Sequence, residues 1–158
     1  MFTIISDPEV ARFGLRPPAS EFSMAEKLIN EILRGFENKR FVQWLIQSND
    51  DGRVIGTCTL WEIAWQHRRA EIGYSLAREY WGSGFATEAV AAMRDYAFDK
   101  LDLIRLEADV DPRNASSIRV LEKLGFQREG YMRARYIVNN EVQDSIVYGL
   151  VREQQSGG

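Results

Sequence analysis

The chain has little of what marks several protein classes. It holds one cysteine, Cys58, in 158 residues, which excludes an internal disulfide and suits a reducing compartment, the cytoplasm. That thiol sits in an apolar stretch, IGTCTLW, and no base partner is visible beside it, so an inert core group is expected rather than a nucleophile. The lone histidine, His67, has no Cys or His neighbours at metal-ligand spacing, and no metal is expected. No apolar run is long enough to span a membrane, no signal-peptide pattern follows Met1, and no segment repeats. The net charge of -3 gives no general case for nucleic-acid binding. The stretch from 111 to 135 is a local exception, with Arg113, Arg119, Lys123, Arg128, Arg133 and Arg135 against Asp111, Glu122 and Glu129. It reads either as a solvated face or as a weak field for phosphates.

What is present is the composition of one soluble globular domain, 45% hydrophobic and 27% charged. A single domain is expected over residues 1–152, followed by a polar, flexible tail at 153–158. Asp7-Pro8-Glu9 reads as a helix start, with an N-cap and a proline in the first turn. Ser20 or Ser23 is expected to cap a longer helix reaching Asn38, with Met24, Leu28, Ile32 and Leu33 on one stripe. Strands are expected at Phe41 to Ser48, Val54 to Trp61 and Arg69 to Leu76, the first two joined by a turn at Asn49 to Gly52. A further strand runs from Leu103 to Val110. Asn114 caps a helix that Gly125 ends in a left-handed turn. Two closing strands, Gln127 to Ala134 and Gln143 to Val151, flank Asn139-Asn140. The sum is a mixed α/β sheet with helices on both faces.

The most informative run is YWGSGFATEAV. An alternating apolar stretch, AEIGYSL, precedes it, and an amphipathic helix carrying Ala86, Ala89, Val90, Met93 and Ala97 follows. Strand, glycine turn and helix start form a seat for a phosphate chain at Gly82, Ser83, Gly84, Phe85, Ala86 and Thr87. The glycines let a ligand approach the backbone, and the first-turn N–H groups have no partners within the helix. Position 87 is Thr where a dinucleotide fingerprint needs its third Gly, and GK[ST] is absent, so neither that fold nor a P-loop is indicated.

Together with NASSIRVLEKLGF and RYIVNNEVQDSIVYGL, these runs resemble the GNAT superfamily of acyl-CoA N-acyltransferases, in the branch of the ribosomal-protein acetyltransferases RimJ and RimL. The matches run in order from about Asp7 to Val151. The resemblance implies a mostly antiparallel mixed sheet and acetyl-CoA as co-substrate. It places the pantetheine arm along Ile72 to Leu76, with Tyr74, Ser75 and Leu76 offering backbone groups, the pyrophosphate on the glycine loop, and the arm again at Asn114. It also implies a strand before the first helix. Here that strand is expected to be missing or to lie upstream of Met1, leaving the Phe41 to Ser48 strand as a sheet edge that a second copy would cover.

Two residues are expected to carry the chemistry. Glu71 shares a strand face with Gly73 and Ser75 and is the candidate for deprotonating the amine, the alternative being a surface charge paired with Arg68 or Arg69. Ser117 stands where the RimL pattern has a serine that helps the thiolate leave; the alternative is a serine that only bonds the open helix turn. Two departures weaken the likeness to RimL itself. The tyrosine that many members carry before the GF turn is Leu121 here, and the hairpin glutamate is replaced by Arg135. The expected acceptor is a primary amine, first a protein N-terminus, with a polyamine or an aminoglycoside-type amine as alternatives. A non-catalytic acyl-CoA-binding module is the rival of another class.

Overall fold

The computed structural model describes residues 1–153. The expected tail therefore lies, from residue 154 onward, outside the described residues. Two short helices come first, α1 (Phe2–Ile5) and α2 (Pro8–Ala11). Asp7 caps the second by accepting a hydrogen bond from the Glu9 N–H at 2.9 Å. Helix α3 (Phe22–Glu37) starts without a side-chain cap: Glu21 holds the N-cap position, and Ser20 and Ser23 do not fill the role expected of one of them. The expected stripe also differs. Ala25 is the residue that is buried, and Met24 and Leu33 stay exposed, because α3 turns a narrower face inward.

The strands are β1 (Val42–Gln47), β2 (Val54–Ala64), β3 (Arg69–Leu76), β4 (Arg105–Val110), β5 (Gln127–Val138) and β6 (Glu141–Val151). They form one sheet in the order β1-β2-β3-β4-β6-β5. Every neighbouring pair is antiparallel except β3 and β4. The closing hairpin is longer than expected. Asn139 and Asn140 both adopt positive φ, the geometry of a two-residue turn that keeps the strand twist, and asparagine tolerates it well. β1 stands at one end of the sheet and pairs only with β2 among the described residues.

Period-two alternation sorts the sheet into two faces. Cys58, Leu60, Ala70, Ile72, Leu106, Ala108, Val110, Ile146 and Tyr148 point to one, where they meet Val90, Met93 and Ala97 of α4 (Phe85–Asp99) and Leu121 of α5 (Ala115–Lys123). This is the core. Leu121 is completely buried in it, which suits an apolar residue. Burial holds the Cys58 thiol up at about 12, in keeping with an inert group. The opposite face carries Arg69, Glu71, Gly73 and Ser75 of β3 beside Arg105, Glu107 and Asp109 of β4. One face of the sheet is therefore apolar and covered by helices, and the other is polar where the two parallel strands meet.

Candidate active site

β3 and β4 pair only at Arg69–Arg105, Ala70–Leu106 and Glu71–Glu107. Beyond Glu71 the strands part. From Ile72 onward the edge of β3 that faces β4 carries backbone groups with no strand partner, as does β4 from Ala108. Each strand leads into a helix, β3 into α4 and β4 into α5, so both helix N-termini stand near the open end of this gap. Ligands of α/β proteins gather at the carboxyl ends of parallel strands for this reason.

The glycine loop is built as a turn. Gly82 and Gly84 have φ of +73 and +84, a conformation that glycine adopts without a Cβ penalty, and no atom lies within 4 Å of where a Cβ would stand. Gly84 is the N-cap of α4 and no side chain caps the helix. The first helical bond in this turn runs from the Glu88 N–H to the Gly84 carbonyl at 3.0 Å, which leaves the Phe85, Ala86 and Thr87 N–H groups without partners inside the helix. Trp81 anchors the loop, its indole N–H donating to the Leu76 carbonyl at 2.7 Å. That bond uses one of the two lone pairs of the Leu76 carbonyl.

At the base of the gap stands Glu71, half-buried. The ion pairs that would make it a plain surface charge are absent: Arg68 pairs with Asp102 and Arg69 with Glu107. Burial, with the neighbouring charges of Asp109, Glu107 and Glu62, raises its pKa, and Arg135 opposes the shift. A half-buried carboxyl held above the ordinary range and lacking a partner has the character of a general base.

Three residues of this region were not singled out from the sequence. The Asp109 carboxylate accepts from Ser145 Oγ at 2.9 Å and from Tyr136 Oη at 2.6 Å, and Arg135 approaches it at 3.5 Å. Asp109 thereby ties β4 to both strands of the closing hairpin, on the same face as Glu71. A signal was present, an aspartate inside the otherwise buried alternation LEADV. Burial and the bond to Asp109 push the Tyr136 hydroxyl up to about 12.

On the other face, Ser117 occupies the first turn of α5. Its N–H donates to Asn114 Oδ1 at 3.1 Å, so Asn114 caps the helix as expected. The Ser117 hydroxyl is not spent on the helix; its partner is Tyr74 Oη at 2.5 Å. Of the basic residues between 111 and 135, Arg113 is held by Asp111 and Glu141 and offers little free charge. Among the described residues no group of three or more metal-capable side chains gathers, and no helix is long and apolar enough to cross a membrane.

A gap between parallel strands, with a glycine turn and a helix start without a side-chain cap at its open end, has the shape of a groove for an extended carrier such as an acyl-CoA, and the class it points to is an acyl-CoA-dependent transferase. The chain belongs to the GNAT acetyltransferases: residues 1–127 match the family described as Acetyltransferase (GNAT) domain. It is similar to the uncharacterized N-acetyltransferase p20 of Bacillus licheniformis, 38% identical over 156 residues, 96% of this chain and 85% of that protein. It is also similar to the spermidine N(1)-acetyltransferase of Escherichia coli K12, 31% identical over 149 residues, 94% of this chain and 77% of the relative. Among solved structures, RimJ of Mycobacterium smegmatis in complex with CoA-disulfide aligns with a TM-score of 0.77 at 28% identity, over 85% of this chain and 64% of that one. The fold is shared with spermidine N-acetyltransferase from Vibrio cholerae in complex with CoA and spermine, TM-score 0.84 at 23% identity, over 95% and 86% of the two chains. The protein is an acetyl-CoA-dependent N-acyltransferase.

Proposed function

We propose that the protein moves the acetyl group of acetyl-CoA to a primary amine that reaches the gap from the Glu71 face. The observation that carries this reading is Glu71 itself: a half-buried carboxyl with a raised pKa, no ion pair, and a glycine two residues on along its face. The amine arrives as an ammonium ion and must lose a proton to attack. Glu71 takes that proton, directly or through a water. The nitrogen lone pair then attacks the thioester carbon, and a free backbone N–H of β3 near Gly73 stabilises the oxyanion. Collapse breaks the C–S bond on the opposite face of the strand, where Ser117 assists the thiolate. The pyrophosphate sits on residues 82–87, and the arm runs along Tyr74 to Leu76 and past Asn114.

Two acceptor classes have specific support. A protein N-terminus, the first expectation, is favoured by the likeness to the Mycobacterium smegmatis RimJ structure. A polyamine is favoured by the spermidine acetyltransferase relative, aligned over 94% of the chain, and by the carboxylates of Glu71 and Asp109 on one face. The single buried thiol fits work in the cytoplasm, and the free edge of β1 fits a homodimer. Thiol release from acetyl-CoA, measured across spermidine, peptides with free N-termini and aminoglycosides, tests the reading. Turnover with one class names the acceptor. Tight acetyl-CoA binding without turnover on any of them would mark a non-catalytic acyl-CoA-binding module.

A further inference from the structure

The expected helper for the leaving thiolate is Ser117, yet a lone serine hydroxyl is a weak and freely rotating donor. Leu121, one turn further along this helix, carries no hydroxyl and is sealed in the core. The structure supplies a phenol from elsewhere. Tyr74 lies on β3 beyond the point where β4 departs, and its side chain points to the helix face, opposite to Glu71. Its Oη meets Ser117 Oγ at 2.5 Å.

The direction of that bond follows from the chemistry of the two groups. Either oxygen of the pair can donate, and Tyr74 Oη also lies 3.4 Å from the Ser117 carbonyl; we assign the donor role to the more acidic phenol, its proton directed at Ser117 Oγ, the nearer acceptor. Ser117 then keeps its own proton for another acceptor. A serine in a helix often donates back to the carbonyl four residues earlier, but no such bond to Arg113 is present, and Ser117 Oγ has no other partner among the described residues. The hydroxyl is left to donate away from Tyr74, at the N-terminus of α5 and beside the strand gap.

We propose that Tyr74 is a positioning residue that acts through Ser117: it fixes the serine rotor and polarises its O–H toward the CoA sulfur. The inference rests on the acetyl-CoA reading above. As the tetrahedral intermediate collapses, the C–S bond breaks and its electron pair goes to sulfur. The thiolate accepts a hydrogen bond from Ser117, whose oxygen accepts one from Tyr74. Both hydroxyls keep their protons. The ammonium gives up two protons in all, one to Glu71 before attack and the second from the nitrogen of the intermediate to solvent water; the thiolate takes one from solvent on release, so each turnover releases one proton. Burial supports this arrangement, since it holds the Tyr74 hydroxyl protonated, with its pKa pushed up to about 12. A chain of two donors, the second ending on a charged sulfur, is stronger than either bond alone.

The test needs no acceptor amine. Coenzyme A itself is bound to the protein, and the ionisation of its thiol is followed by thiolate absorbance against pH, with an S-methylated coenzyme A as the blank. Tyr74→Phe is expected to raise the bound thiol's pKa by about one unit, a tenfold loss of thiolate at fixed pH. Ser117→Ala should raise it at least as far, and the double variant no further than Ser117→Ala alone. Fluorotyrosine at position 74 keeps the ring and fold, makes the phenol more acidic, and should lower the thiol pKa. Unmoved thiol titration in the Tyr74→Phe and fluorotyrosine proteins, or shifts that add in the double variant, would overturn the proposal. Failure of the unmodified protein to bind coenzyme A would instead overturn the acetyl-CoA reading on which it stands.

Discussion

Tyr136 donates a hydrogen bond to Asp109 at 2.6 Å, and through it the closing hairpin is fastened to the strand that faces Glu71. Asp109 therefore does two things. It joins β4 to β5 and β6, and it places a negative charge near a carboxyl that has no counter-ion of its own.

The first prediction concerns that charge. A like charge makes ionisation of Glu71 harder and raises its pKa. Removing it must lower that pKa. A base works only when deprotonated, so activity climbs as pH rises through the Glu71 pKa. Asp109→Asn removes the charge and keeps one of the two acceptor oxygens that Ser145 and Tyr136 use; the hydroxyl facing the new NH2 must turn to accept from it. The ascending limb of kcat/KM against pH should move to lower pH. A limb that stays in place in a folded variant would mean that the two carboxyls do not communicate.

Glu71→Gln should lower turnover about 10²-fold at neutral pH, the usual cost of losing a general base. The deficit should shrink at high pH, where free amine is abundant. Steady-state rates at neutral and alkaline pH decide the matter. Equal rates for variant and parent at neutral pH would reduce Glu71 to a bystander.

Two glycines probe the cofactor groove in different ways. Gly84 has a φ of +84, so Gly84→Val strains the backbone by roughly 1–2 kcal/mol and also puts a side chain where phosphate must sit. Its melting temperature should fall, and coenzyme A binding should weaken at least ~tenfold through loss of the helix-start site. Gly73 has open space around its missing Cβ and an ordinary φ. Gly73→Val should fold normally yet hinder substrate at the gap. Calorimetry with coenzyme A, run beside thermal melts, separates strain from obstruction; parental affinity in a folded Gly84→Val protein would remove the phosphate site from the loop.

The edge strand β1 points Trp44 and Ile46 toward the core and leaves Leu45 58% exposed. An antiparallel pairing of two such edges is self-complementary about a two-fold axis. We expect a homodimer by light scattering, and Leu45→Lys should shift it to monomer. A stable monomer in which the β1 amides resist hydrogen exchange would show that the edge is covered within one chain.

Much of this protein is local in origin, and local features are legible in sequence. The bounds of β3 follow from the alternation in RAEIGYSL. The turn at Gly82 to Gly84 follows from glycine's tolerance of positive φ, and the start of α5 from an asparagine side chain that satisfies an open N–H. Each depends on residues within a few positions of one another, where sterics and short hydrogen bonds dominate. The missing cap of α3 marks the limit even there, since Ser20 and Ser23 were equally suitable by type.

What only the tertiary structure decided is which distant groups share a space. By type alone Glu71 could pair with either neighbouring arginine; the fold gives those arginines to Asp102 and Glu107 and leaves Glu71 alone. Tyr74 was legible as a strand residue and Ser117 as a helix residue, but their contact spans 43 positions. Asp109, Tyr136 and Ser145 meet only because β6 inserts between β4 and β5. The sequence by itself determined most of the elements and the glycine turn before α4, because backbone geometry there is set by near neighbours. The acid–base character of the site belongs to the fold, because burial and long-range pairing shift a pKa and no stretch of sequence contains both partners.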